Sequence, residues 1–352
     1  MRRRLATATW LICLLVVGAL APAHALQTAD QLSTQAHAKY DANQLDEAEA
    51  LFGKLLQDQP GSTLAPDAQF YLGWIAYKKG STEAEARWQA VVALYPNSPE
   101  APKALKGIAA IHYKTIKGDK DTRIADFQRI VDHYPTSPEA DEARLRIGVL
   151  HRRTPPDFTK ALEAFSYLMA NAKDPGWRAD AYVETGLTYL QRYWFEGRKK
   201  PDDLTKALEV FSSTRTKYPG QGEAVAKAEL RQARIYLYSE NDMNKAWEAL
   251  SSTIGAYPET TLTTEILYHM AYCTYARKDY DGCILLCENI LATRPVSDWN
   301  AYLQYFIGNA EFQAGRKTEA KAALEKTVAL YPESEWARHA AGLLSTLKLE
   351  EE

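Results

Sequence analysis

Small and large apolar residues recur four positions apart along the chain: Ala48 with Phe52, Ala84 with Trp88, Ala207 with Phe211, Ala246 with Leu250, Cys283 with Cys287, and Ala320 with Leu324. Residues four apart share one face of a helix. A small residue there admits a neighbouring helix, and a large one fills the space beside it. Each pair stands twelve and eight residues before a proline: Pro60, Pro96, Pro219, Pro258, Pro295 and Pro332. Phe127 keeps the same place before Pro135, and thirteen residues after a proline stand Gly73, Ala109, Gly148, Ala271 and Gly308. The unit reads as two antiparallel helices, with the small residue at their crossing and the proline closing the second helix.

With Pro175 included, eight such prolines lie 36, 39, 40, 44, 39, 37 and 37 residues apart. A period in that range predicts a solenoid of helical hairpins. Helices are expected over about 28–42, 44–58, 65–79, 82–95, 99–116, 121–134, 138–152, 157–172, 176–195, 202–218, 221–239, 242–257, 260–277, 279–293, 297–314, 316–331 and 333–348. Ser98-Pro99-Glu100 and Ser137-Pro138-Glu139 each place a capping hydroxyl, a first-turn proline and an acid in order. Hairpin turns fall at Lys79-Gly80-Ser81, Lys117-Gly118-Asp119, Glu240-Asn241-Asp242 and Ala314-Gly315-Arg316.

The junctions Tyr95-Pro96-Asn97-Ser98-Pro99-Glu100-Ala101 and Tyr134-Pro135-Thr136-Ser137-Pro138-Glu139-Ala140, with Tyr218-Pro219, Tyr257-Pro258 and Tyr331-Pro332, carry a resemblance. The pattern is similar to the tetratricopeptide repeat, lengthened by about three residues at this junction. It also resembles repeats of secreted bacterial envelope proteins, including the Tol-Pal-associated periplasmic protein and BamD-type outer-membrane assembly lipoproteins. The resemblance covers residues 28–349. It implies an all-α, right-handed α-solenoid of about eight hairpins with a C-terminal capping helix, acting as a periplasmic scaffold for proteins or peptides. There is neither a lipid-attachment cysteine in the expected setting nor an N-terminal coiled-coil stretch.

Composition agrees with a folded chain: 46% of the 352 residues are hydrophobic, 25% charged and 11% aromatic. A net charge of −3 gives no reason to expect nucleic acid, and four cysteines are too few for a disulfide scaffold. Met1-Arg2-Arg3-Arg4, an uncharged run from Leu5 to Leu20 and the small-x-small Ala23-His24-Ala25 predict a signal peptide over residues 1–25. An uncleaved anchor is the alternative, although the run is short of the roughly 20 residues a membrane helix needs. Cys13 lies mid-run behind Leu11 and Ile12, unlike a lipidation site. The repeat domain is then 26–349, followed by an acidic tail at 350–352.

Enzyme motifs are nearly absent from the sequence. Gly315-Arg316-Lys317-Thr318 is a faint echo of a phosphate loop set in a hairpin turn, and Ser345 with Lys348 lacks the companion motifs of serine–lysine hydrolases. The chain is expected not to be an enzyme and to need no cofactor. His269 with Cys273, and Cys283 with Cys287, sit at helical spacing on two arms of one hairpin. Three readings compete: plain core, since cysteine packs as a small hydrophobe; one disulfide; or a four-ligand metal site.

Partner binding offers two sets of residues. Tyr77, Tyr113, Tyr236, Tyr275 and Phe312 recur seventeen residues after a proline. The resembling fold lines a groove with first helices, where such rings would grip a peptide; the alternative is packing against the neighbouring helix. The second set is the lengthened unit at Tyr193-Trp194-Phe195-Glu196-Gly197-Arg198-Lys199-Lys200-Pro201. There Trp194, Arg198, Lys199 and Lys200 would suit an acidic partner or a peripheral contact with an anionic membrane surface. The expected function is a non-catalytic adaptor for envelope proteins in cell-envelope assembly or cell-wall coordination. The competing readings are a ligand-binding module for a transport system and a regulatory partner of a cell-wall enzyme.

Overall fold

The computed structural model describes residues 27–115, 119–198, 200–294 and 299–349. The expected signal peptide and acidic tail therefore lie outside the described residues. Those residues form seventeen α-helices and one π-helical turn, and contain no strand.

The chain divides into two units, residues 1–104 and 105–352. Unit 1 holds α1 (Ala29–Asp41), α2 (Leu45–Asp58), α3 (Ala65–Lys78), α4 (Ala84–Leu94) and the start of α5 (Glu100–Thr115). Thr28 starts α1 with a reciprocal cap: its side chain accepts from the Gln31 backbone N–H, and the Gln31 side chain accepts from that of Thr28. Leu32, Ala36, Ala48, Phe52, Leu55, Leu72 and Ile75 make the core of this unit. The Tyr71 ring stacks on Phe52 at 5.4 Å.

Unit 2 continues with α6 (Lys120–His133), α7 (Pro138–Arg152), α8 (Phe158–Asn171), α9 (Pro175–Phe195), α10 (Pro201–Lys217) and α11 (Gly222–Ile235). Then come α12 (Met243–Ala256), α13 (Thr263–Ala276), α14 (Tyr280–Thr293), α15 (Asn300–Gln313), α16 (Lys317–Leu330) and α17 (Glu335–Leu349). Consecutive helices pack as hairpins, and first helices also meet first helices: α7 touches α9, α9 touches α11, and α15 touches α17. Apolar clusters follow one another along the unit, around Phe165, Phe211, Leu250, Ile290 and Leu324 in turn. That is the quasi-one-dimensional packing of a repeat protein.

The small and large residues meet as their spacing predicts. A β-carbon on Gly148 would stand 2.5 Å from the Phe165 ring, one on Gly186 2.6 Å from Phe211, and one on Gly308 2.7 Å from Leu324. Phe52, Trp88, Phe211, Leu250, Cys287 and Leu324 are buried, but Phe127 is only half-buried.

Helix starts show one correction. Ser137 caps α7 by accepting from Ala140 N, whereas the Ser98 hydroxyl has no hydrogen-bond partner. Helix α5 begins at Glu100, one residue later than the matching Pro138 start of α7, which puts the Ser98 hydroxyl out of register with the first turn. Turn residues take left-handed backbone where they must: Asn43, Gly80, Asn241, Lys278 and Gly315 all have φ between 54° and 79°. The helix expected over 221–239 ends instead at Ile235 and passes into a π-helical turn, Tyr236–Glu240. A π-turn accommodates extra chain, and this repeat is 39 residues long against 37 for the two that follow it.

Candidate functional site on the first helices of unit 2

Side-by-side packing of α7, α9, α11 and α13 lets side chains from successive hairpins meet on one face. Glu184 of α9, only 8% exposed, accepts from Arg152 of α7 and from the Lys227 ammonium of α11 at 2.7 Å. One repeat further, Arg234 of α11 lies 3.5 Å from Glu265 of α13, whose carboxylate is also 3.9 Å from the His269 ring. Lys227, Arg231 and Arg234 thus form a stripe along α11, at positions i, i+4 and i+7. The outer two are matched by acids on the flanking helices. Arg231, between them, has no ion-pair partner among the described residues, and its Nε is buried without a hydrogen bond. Burial disfavours its charge, and so does the neighbouring Arg234.

Beyond this charged belt the same face turns aromatic. Tyr238, in the π-turn, meets the His269 ring at 6.2 Å, and Tyr268 stacks on Trp299 at 4.4 Å. Tyr302 of α15 then meets both Tyr268, at 4.6 Å, and Trp336 of α17, at 4.4 Å. His269 is 3% exposed, and burial holds its pKa down at about 3, with Arg234 and Arg231 adding to the effect. It is therefore neutral at pH 7, with a buried Nδ1 that finds no partner.

The expected aromatic set divides. Tyr77 packs on Trp88 at 5.9 Å, Tyr275 on Phe306 at 4.7 Å, and Phe312 joins the cluster of Ala320 and Leu324. These rings fill the crossings between helices. Tyr113 and Tyr236 differ. Tyr113 is 49% exposed and lines a recess of about 300 Å³ with Phe127, Val149 and Leu150, rimmed by Lys106, Glu142, Arg146 and Arg153. The Arg123 guanidinium covers its ring at 4.2 Å. Tyr236 lines a second hollow of about 250 Å³ with Glu229, Lys245 and Glu248.

In the lengthened unit, α9 runs on to Phe195, and Trp194 and Phe195 are 44% and 61% exposed. Arg198 lies over the Trp194 ring at 4.6 Å, and Lys200 pairs with Glu196 at 3.1 Å. Lys199 lies outside the described residues. Asp203, 2% exposed, takes two hydrogen bonds from Arg192, both 2.7 Å, and these tie the long helix to α10. The guanidinium beside it holds the Asp203 carboxyl below the usual carboxylate range.

Cys273, Cys283 and Cys287 are free, buried thiols. Cys273 packs in the cluster around Leu250, while Cys283 and Cys287 pack in the next one, around Ile290. Among the described residues no group of three or more His, Cys, Asp or Glu could hold a metal ion, so His269 and these thiols do not converge. No described helix is long and apolar enough to cross a membrane.

Known proteins are similar in two segments. Residues 33–102 match the tetratricopeptide repeat family, and residues 223–350 match the outer membrane lipoprotein family YfiO. No curated protein matches the chain in sequence. Among solved structures, a tetratricopeptide repeat protein from Parabacteroides merdae is 13% identical over 91% of this chain and 98% of its own, with a TM-score of 0.41. The APC/C hetero-tetramer Cut9–Hcn1 contains a chain 13% identical over 91% of this one and 56% of its own, with a TM-score of 0.46. The hairpin repeat agrees with the two segment matches: residues 33–102 are similar to the tetratricopeptide repeat family, and residues 223–350 to the outer membrane lipoprotein family YfiO.

Proposed function

We propose that this protein is a non-catalytic periplasmic scaffold that holds a protein or peptide partner during outer-membrane assembly. The observation that carries the reading is the first-helix face of α9 to α17, where a charged belt adjoins a continuous run of aromatic rings. Aromatic and arginine side chains on a stiff support suit protein recognition, because little side-chain freedom is lost on binding. The match of residues 223–350 to an outer membrane lipoprotein family favours the envelope as the setting. Most of this aromatic face lies within that segment.

Photo-crosslinking in intact cells tests the reading. A crosslinker replacing Tyr238, on this face, should capture outer-membrane assembly proteins. One replacing Leu285, which is 70% exposed on second helix α14, should not. Equal capture from both positions, or none from position 238, would remove this face from the proposal.

A further inference from the structure

We infer that Arg231 is a docking point for the carboxylate of an acidic side chain on the protein partner, an inference that rests on the scaffold reading above. Each acid near Arg231 is already engaged. Glu184 holds Arg152 and Lys227, and Glu265 faces Arg234 and His269. Arg231 stands between them with its Nε buried and unpartnered, and the nearby His269 Nδ1 is in the same condition. Buried polar atoms without partners are rare in folded proteins, and each one costs stability. A desolvated guanidinium beside like charges is the costlier case, because the hydration it loses is offset only in part by Glu265 and Glu184, which pair with other cations.

The cations of the belt, Arg152, Lys227, Arg231 and Arg234, outnumber its carboxylates, Glu184 and Glu265, and Arg231 is the cation with no ion-pair partner among the described residues. A carboxylate from outside would pair with it. Arginine presents a planar fork of donors that a carboxylate matches with two parallel hydrogen bonds. Such a bond formed in a partly desolvated place is stronger than one at an open surface. An acidic residue beside an apolar or aromatic one on the partner would meet Arg231 and the Tyr238–Tyr268 rings together. The remaining exposure of the Arg231 side chain leaves the approach open.

The test uses the whole protein and N-acetyl-glutamate amide as the probe, at constant ionic strength, with the Arg231 Nε–H and His269 ring resonances followed by NMR. The expected result is a saturable shift with a Kd in the millimolar range, with no shift from N-acetyl-glutamine amide. Arg231→Met should abolish the shift while melting no lower than the parent, since it removes an unpaired charge. Arg231→Lys, which keeps the charge but not the fork, should weaken binding at least threefold. The inference is overturned by equal shifts from both probes, by a shift that survives in Arg231→Met, or by a response to inorganic phosphate but not to the carboxylate. It is also overturned if Arg231→Met melts markedly lower, since Arg231 would then serve the fold. The probe contains no envelope protein, so a negative result here leaves the crosslinking outcome independent, and the reverse holds too.

Discussion

The Phe165 ring occupies the place a side chain on Gly148 would need, 2.5 Å from where its β-carbon would stand. Phe165 is fully buried, and α7 and α8 approach each other at this point because Gly148 has no side chain. Gly148→Ala should therefore cost about 1–3 kcal/mol, the usual range for overpacking a closed core. Gly53 in α2 has open space around its Cα, so Gly53→Ala should instead stabilise by up to about 1 kcal/mol. Chemical denaturation of both variants checks the pair. Equal effects would mean that the close approach is not what requires the glycine.

Phe127 holds the same repeat position as Phe52 and Phe211 but is half-buried beside the 300 Å³ recess. Phe165→Ala should cost about 3–5 kcal/mol, and Phe127→Ala no more than about half of that. Denaturation midpoints at equal slope would measure the difference. A Phe127→Ala cost equal to that of Phe165→Ala would show the recess to be closed in solution.

Tyr113 and Tyr236 line hollows, whereas Tyr275 fills a crossing. Alanine at 113 should leave helicity and melting nearly unchanged while reducing partner crosslinking in cells. Tyr236 also packs against the Leu230–Leu250 cluster, so alanine there should lower both the melting temperature and the crosslinking. Alanine at 275 should lower stability by about 1–3 kcal/mol. Circular dichroism melts read the second effect, and the crosslinked yield reads the first.

His269 supplies a pH dependence. Its folded pKa of about 3 lies below the ordinary 6.5, so the unfolded chain binds this proton first as pH falls. Its contribution to stability is complete above pH 6.5 and is lost at roughly 1.4 kcal/mol per pH unit below that, down towards pH 3. Asp and Glu protonation adds its own slope, so the comparison is with His269→Gln. Between pH 6.5 and pH 4 the parent should lose stability more steeply than the variant, and parallel curves would refute the assignment.

Much of the fold was legible because packing is local here. Apart from the half-buried Phe127, the Ala and Phe or Leu positions counted from the prolines are buried, and the expected helices lie within a few residues of those observed. The π-turn at Tyr236 was not legible, since extra chain can be absorbed in a loop as easily as in a helix. The aromatic positions were visible, but their roles were not: Tyr77 and Tyr113 hold one repeat position, and only their neighbours make one a filler and the other a wall. The charged belt was missed altogether. Arg152, Glu184 and Lys227 lie 32 and 43 residues apart, and each alone reads as an ordinary solvated charge. The spacing gave no common signal, since Glu265 stands seven residues after Pro258 but Glu184 nine after Pro175.

Gly148 faces Phe165, Gly186 faces Phe211 and Gly308 faces Leu324, while Ala271 shares a cluster with the smaller Cys287. In every case both members belong to one hairpin. A hairpin thus brings its own lock and its own key, so a duplicated or deleted copy would leave the other crossings correctly matched. Ancestors of this chain could have grown or shortened in whole hairpins without inventing a new interior each time.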